Sequence, residues 1–246
     1  MDFAQQLVNG VQIGSVYALV AIGYTMVYGI AKMINFAHGD IIMVGSYVAL
    51  LFFQSSGLPV WGVIAATAAV SAVLGVTIER LAYKPLRGGS RMSALITTIG
   101  VSLMLQNGFL LIFGSSPKPF PNHFTGEGFT LGGVTVSRLT AITLVVTVVL
   151  MVLLTLFVNR TRVGKAMRAV SEDQGAAQLM GINIDTSISI TFAIGSALAA
   201  VAAVLYSSTY PLINPYMGSM LGLRAFIAAV IGGIGVIPGA MIGGFI

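Results

Sequence analysis

Long apolar stretches without charged residues alternate along this chain with short polar links. A helix needs about 20 apolar residues to cross the hydrocarbon core of a bilayer, and most of the charge-free stretches reach that length. Turn-forming residues interrupt two of them, within 54–59 and 211–215. The pattern therefore predicts seven membrane-spanning helices. The predicted spans are 7–31, 35–53, 60–80, 93–114, 139–158, 187–209 and 225–246.

Basic residues predict how these helices are oriented. Cytoplasmic links carry the excess of lysine and arginine, and nine of the twelve such residues flank the links after the first, third and fifth predicted spans. We therefore expect those links in the cytoplasm and the N-terminus outside. The nine are Lys32, Arg80, Lys84, Arg87, Arg91, Arg160, Arg162, Lys165 and Arg168; Lys118, Arg138 and Arg224 fall on the other side.

The composition excludes several classes of protein. Apolar residues make up 57% of the chain and charged residues 8%, whereas a soluble domain carries about 25% charged residues. A soluble enzyme, a nucleic-acid-binding module and a disordered tail are thereby excluded. We expect an all-α polytopic membrane bundle in a single domain, 1–246, packed closely through its 30 glycines. Because the last predicted span runs to the final residue, we expect further spans beyond it.

Two links contain local structure. In the outer link, 115–138, a Gly-Gly pair between β-branched residues predicts a small hairpin, which either closes the link or docks an outside partner. In the link 160–185, Ser171 and Gln174 form a capping-box pattern, and Gly181 stands where a left-handed residue ends a helix. The pattern predicts a helix over 172–180 that either docks another protein or lies on the lipid surface.

Polar residues precede the second predicted span. Asn35, His38 and Asp40 come just before only thirteen charge-free residues, 41–53, which are too few to cross a bilayer. Either the span includes these polar residues, or a broken helix enters here. Ionisable groups at membrane depth usually face a cavity or the bundle interior. They are therefore candidates for a polar pathway, the alternative being a structural role at the cytoplasmic interface.

Glycines recur every four residues in two places. Gly10 and Gly14 lie in the first predicted span, and Gly235, Gly239 and Gly243 lie in the last. This spacing is typical of close helix packing. Pro238 predicts a break within the last run, and broken helices contribute to substrate sites in some transporters.

Several kinds of chemistry have no support in the sequence. There is no phosphate-binding loop and no cysteine for a metal or disulfide. Ser207, His38 and Asp40 could in principle form a Ser–His–Asp set, but no G-x-S-x-G elbow supports it. The second histidine, His123, lies in the outer link, so we expect no metal site and no haem site. A membrane enzyme is therefore disfavoured.

Eight segments in sequence order resemble the LivH-type permease family, the membrane subunits of high-affinity branched-chain amino-acid ABC importers. One segment departs mildly, since Asp40 stands where many family members have glutamate. The segments are GSVYAL (14–19), GYTMVYGI (23–30), INFAHGD (34–40), ERLAYKPLR (79–87), RAVSED (168–173), LMGIN (179–183), INPYMG (213–218) and GGIGVIPGAMIGG (232–244).

The resemblance implies a permease subunit of the bacterial inner membrane that imports leucine, isoleucine and valine. It implies a second homologous permease, two cytoplasmic ATPases that bind ATP and Mg²⁺, and a periplasmic or lipid-anchored binding protein. We expect membrane lipid but no nucleic acid as a further partner, and no cofactor on this chain.

The resemblance also implies roles for individual residues. The family's cytoplasmic coupling loop matches 168–183, so the capped helix is expected to dock on an ATPase. A zwitterionic substrate with an apolar tail needs a few polar groups along an apolar pathway. The coupling positions are Arg168, Glu172, Asp173, Ala176, Ala177, Gly181 and Asn183, and the candidate pathway positions are Asn35, His38, Asp40 and Asn214.

Two alternatives remain. One is an importer of the same family for urea, short amides or other amino acids, because the coupling and packing motifs are shared. The other is an ion-driven secondary transporter, which would need an acidic residue at mid-membrane, and Asp40 is the candidate for it.

Overall fold

Helices make up most of the chain. A computed structural model describes residues 3–87, 89–124, 126, 128–131 and 134–246. Within these ranges, a π-helical turn (Glu79–Tyr83) and a 3₁₀ turn (Lys84–Leu86) follow the third α-helix. The α-helices are α1 (Phe3–Ala31), α2 (His38–Ser55), α3 (Val60–Ile78), α4 (Arg91–Phe113), α5 (Arg138–Arg160), α6 (Arg162–Glu172), α7 (Gln174–Leu179), α8 (Ile184–Thr209), α9 (Met217–Ile231) and α10 (Ile237–Phe245). The strands are β1 (Lys118–Pro119), β2 (Phe129–Leu131), β3 (Val134–Val136) and β4 (Leu212–Ile213).

Side-chain caps define where five of the helices begin. The oxygens of these caps accept a hydrogen bond from the backbone N–H three residues later, which satisfies one of the free donors of the first turn. Asn183 does so at the start of α8, where its Oδ1 accepts from the Thr186 N–H at 3.0 Å. The other four caps are Ser90 for α4, Ser137 for α5, Thr161 for α6 and Asp173 for α7.

The core lies between α1 and α8. α1 packs against α5, α8, α9 and α10, and α8 packs against α2 and α3 as well. In the apolar stretch of each helix that could cross a membrane, the buried share is 78% in α1 and 72% in α8. The buried share is 17% in α4 and 22% in α5. α4 and α5 therefore present apolar surface outward, as helices in contact with lipid or another membrane subunit do.

The two ends of the bundle differ in character. At the basic end, which also holds α7, lysine and arginine residues collect in α6 and in the turns 79–87. At the strand end, β1 pairs with β4 and β2 pairs with β3, both antiparallel. The predicted hairpin is thus present as the β2–β3 pair, although its Gly-Gly turn, 132–133, lies outside the described residues.

Five of the described helices are long and apolar enough to cross a membrane: α1, α3 with its following turns, α4, α5 and α8. The predicted seventh span, 225–246, is wrong as a single helix, because α9 ends at Ile231 and α10 begins at Ile237. Gly233 and Gly235 form the turn between them with positive φ angles of 91° and 102°, which glycine adopts without steric cost. Pro238 lies in the first turn of α10, so the predicted break is confirmed.

The N-terminal turns of α2 and α9 touch through their backbones. A methyl group on Gly39 would overlap the carbonyl oxygen of Gly218 and lie 2.9 Å from the Cα of Gly222. Only glycine allows this approach. The contact holds the first turns of α2 and α9 together within the bundle.

The glycines predicted for helix packing have different outcomes. Added methyl groups on Gly239 and Gly243 would overlap α9 at Gly232 and Ala228, and one on Gly14 would meet the end of α10. The prediction is wrong for Gly10, whose added methyl group would meet no described atom within 4 Å. Gly235 lies in the turn before α10, not on a helix face.

The Gly39→Ala variant is expected to lose about 1–3 kcal/mol of unfolding free energy, the usual cost of overpacking a core. The reason is that backbone, rather than a flexible side chain, must move to make room. Titration of the purified protein in mixed micelles with sodium dodecyl sulfate measures the loss. Gly108→Ala in α4 is the matched control, since nothing lies within 4 Å of its added methyl group; equal stability of the two variants would contradict the packing argument.

Candidate functional site

His38 and Asp40 open α2 in the interior of the bundle, far from either end. The His38 ring touches Gly23 of α1 and Gly195 of α8, where an added methyl group would meet it at 2.7 and 3.9 Å. Gly23 lies eight residues from the end of α1 and Gly195 eleven from the start of α8, which places the ring about 12–16 Å from the basic end. The broken-helix alternative is therefore the observed one, and His38 and Asp40 do not lie at an interface.

Asp40 is fully buried and bonds to α4, a contact that the sequence did not predict. Its Oδ1 accepts a 2.9 Å hydrogen bond from Nε2 of Gln106 in α4. The same amide contacts the hydroxyl of Ser219 in α9 at 2.9 Å. Asp40 Oδ2 has no hydrogen-bond partner among the described residues. As an acid in the first turn of α2, Asp40 is also favoured by the helix dipole.

The other two polar residues of this region, Asn35 and His38, contact tyrosine side chains. Oδ1 of Asn35 accepts a 2.6 Å hydrogen bond from the hydroxyl of Tyr83, in the π-helical turn. The buried ring of His38 lies 4.5 Å from the ring of Tyr24. Asn35, His38 and Asp40 thus form one buried polar stretch at the start of α2.

Asn214 lies apart, in the turn that leads into α9. Its Oδ1 accepts from the Tyr216 N–H at 2.9 Å, and its carbonyl accepts from the Met217 N–H. Asn214 therefore shapes the entry to α9. A Ser–His–Asp set is also absent among the described residues, because Ser207 donates to Ser46 instead.

The link 160–185 contains two helices instead of the single predicted one. The expected capping box at Ser171 is wrong, because Ser171 is still in α6 and donates to the Arg168 carbonyl at 2.7 Å. Asp173 takes the extended cap conformation and accepts from the Ala176 N–H at 3.0 Å. Ser171 cannot cap α7 because it is still inside α6, which ends at Glu172. Asp173 is the next residue and caps α7 instead. Gly181 has a φ of +80°, so the predicted helix stop is confirmed.

The α7 segment exposes apolar side chains to the space beyond the basic end. Ala177 is buried against the bundle, whereas Leu179 is 91% and Met180 82% exposed. Glu172, Asp173, Ala176, Gly181 and Asn183 are exposed around them, as is Arg168 on α6. A groove of about 550 Å³ adjoins the segment, lined by Arg87, Gln174, Gln178 and 181–185. Large apolar side chains at such exposure are typical of a surface that contacts another protein or lipid.

A partly exposed ion-pair cluster lies at the start of α8, just after this segment. Arg87 pairs with both Glu79 and Asp185, and Lys84 Nζ lies 2.7 Å from Asp185 Oδ2. The hydroxyl of Ser189 donates to Glu79 at 2.5 Å. The cluster therefore ties the start of α8 to the turns after α3, one of which holds Asn35 through Tyr83.

Sequence reasoning missed several of these residues. Glu79 carried a usable signal, because it is an acid inside a predicted span. Gln106 and Ser219 carried none, since their role depends on how α4 and α9 pack. Arg224 was predicted to lie between the sixth and seventh spans, but α9 begins eight residues before the predicted seventh span and contains it.

Residues 6–246 match the family model described as the permease component of the branched-chain amino acid transport system. The chain is 48% identical to the high-affinity branched-chain amino acid transport system permease protein BraD of Pseudomonas aeruginosa, over 99% of this chain and 83% of the relative. It is 47% identical to LivH of Escherichia coli K12 over the same shares. It is 31% identical to the probable LivH of Methanocaldococcus jannaschii, over 93% of this chain and 73% of the relative. No solved structure matches.

The Asp40–Gln106 hydrogen bond is expected to give a coupling energy of about 0.6–1.7 kcal/mol, the range for polar pairs between membrane helices. A double-mutant cycle with Asp40→Ala and Gln106→Ala measures it from unfolding free energies. As a control, Gln106→Ala combined with Thr77→Ala should be additive, because the Thr77 hydroxyl bonds only within its own helix, at 2.8 Å. Additive effects for Asp40 and Gln106 would contradict the assignment of this hydrogen bond.

Proposed function

This chain belongs to the family of branched-chain amino acid transport permease components, and from that premise we propose that it is a membrane subunit of an ATP-driven importer of leucine, isoleucine and valine. The observation that carries the proposal is the exposed α7 segment, with Leu179 and Met180 uncovered beside a groove at the basic end. The identity of 48% to BraD and 47% to LivH supports the substrate class, because both names specify branched-chain amino acids.

The α7 segment is the proposed coupling surface for a cytoplasmic ATPase. Its short helix is bounded by the Asp173 cap and by Gly181, so its position relative to the bundle is well defined. Behind it, Asp185 and Arg87 connect α8 to the turns after α3. A movement of α7 can therefore pass through the short link 180–183 to α8, and through the ion pairs of Asp185 to the turns after α3.

The basic end is proposed to face the cytoplasm of the bacterial inner membrane. Arg160, Arg162, Lys165 and Arg168 flank α6 there, and Lys84 and Arg87 lie on the neighbouring turns. Such an excess of basic residues is typical of cytoplasmic links. The N-terminus and the strand end would then lie outside, where a substrate-binding protein delivers its ligand.

In the proposed mechanism, two ATPase subunits close on ATP and Mg²⁺ and move α7. The pathway between this chain and a second, homologous permease then switches between inward-facing and outward-facing states. This chain changes no covalent bond and binds no cofactor of its own. Asn35, His38 and Asp40 are proposed to lie along or beside that pathway, as buried polar groups at membrane depth commonly do.

Replacing Leu179 and Met180 together by serine is expected to lower the amount of ATPase that co-purifies with the chain at least tenfold. Burying a large apolar side chain contributes about 1.5–3 kcal/mol, and neither residue is needed within the bundle because both are exposed. The measurement is affinity purification from native membranes in mild detergent, with quantitative mass spectrometry of the partners.

Val163→Ser in α6 is the matched control, an apolar residue at the same end that is 38% exposed and lies outside the proposed surface. Unchanged ATPase recovery with the double variant would contradict the coupling surface. Recovery of the wild-type chain without any ATPase, but with ion-driven uptake, would instead favour a secondary transporter that uses Asp40. ATP-driven uptake of urea or amides only would correct the substrate.

A further inference from the structure

Arg224 is an exposed cation near the strand end of the bundle. It is the central residue of α9, seven residues from Met217 and seven from Ile231. Its Nη1 donates a 3.0 Å hydrogen bond to the hydroxyl of Tyr17. Tyr17 comes five residues after Gln12, which contacts Thr209 at the end of α8, so it lies about 8 Å inside that end of the bundle.

The neighbours of Arg224 leave its charge unmatched. Tyr206 and Tyr210, whose rings are 4.9 Å apart, are its electrostatic neighbours together with Tyr17. Among the described residues, Arg224 forms no ion pair. An exposed guanidinium without an ion pair can offer its N–H donors to an anionic ligand.

Apolar side chains share the exposed face with Arg224. Met220 and Ile227 lie four residues before it and three after it, and therefore on the same side of α9. They are 57% and 48% exposed. A ligand whose carboxylate meets Arg224 can therefore lay an aliphatic chain along Met220 or Ile227.

We propose that Arg224, oriented by Tyr17, binds the α-carboxylate of an aliphatic amino acid as it crosses the membrane. Guanidinium groups bind carboxylates through paired hydrogen bonds. The hydrogen bond to the Tyr17 hydroxyl fixes the orientation of the Arg224 guanidinium. The inference rests on the proposed function and adds to it a binding group for the substrate in this subunit. Tyr17 is a positioning residue for that group.

The test compares leucine with leucinol, which has an alcohol in place of the carboxylate. The complete transporter, co-purified from native membranes and placed in nanodiscs without its binding protein, is titrated with each ligand. Saturation-transfer NMR measures the two affinities. We expect the wild type to prefer leucine at least tenfold, and Arg224→Gln to lose that preference. Arg224→Lys should restore part of it, and Tyr17→Phe should weaken it by a smaller factor.

Arg138→Gln is the control, an exposed arginine at the start of α5, and should keep the full preference for leucine. An unchanged preference in both Arg224→Gln and Tyr17→Phe would overturn the inference while leaving the importer intact. If Arg224→Gln instead dissociates the second permease, and an acid-to-amide change in that permease has the same effect, Arg224 is a subunit contact and the inference fails. If the wild-type assembly shows no ATP-dependent leucine uptake, the proposed function itself is wrong.

Discussion

The bundle depends on the backbone contact between the first turns of α2 and α9, where Gly39 meets Gly218 and Gly222. The hydrocarbon core offers no hydrogen bonds to a free helix end, so a helix can begin at membrane depth only where protein encloses it. α1 and α8 supply much of that enclosure, since both are largely buried. Because the glycines let the two ends meet, the first turn of α2 and Gly218 of α9 are buried.

The buried carboxylate of Asp40 follows from this contact. Asp40 is in the first turn of α2, so it lies inside the bundle, where Gln106 of α4 donates to it. The ion pairs of Arg87 join the turns after α3 to the start of α8, and Tyr83 in those turns donates to Asn35. The polar stretch at the start of α2 is therefore connected to the end of the bundle where α7 lies.

Much of the fold could be predicted from the sequence, and the failures have physical causes. Hydropathy located the five long helices, because a membrane span is a local property of composition. It failed for 225–246, where apolar residues continue through the turn that Gly233 and Gly235 form. The residue that caps α7 is Asp173, whereas Ser171 was predicted. Both residue types can cap a helix, and the length of α6 decides between them. Gln106 and Ser219 could not be found, since their partners lie far away along the chain.

ATP-dependent uptake of branched-chain amino acids is the most direct test of the whole account. The chain with its co-purified partners is reconstituted in liposomes, and uptake of labelled leucine, isoleucine and valine is measured with ATP on the ATPase side. We expect uptake of all three that requires ATP and the binding protein, and that persists when ion gradients are collapsed. Uptake that needs an ion gradient but no ATP would contradict the account.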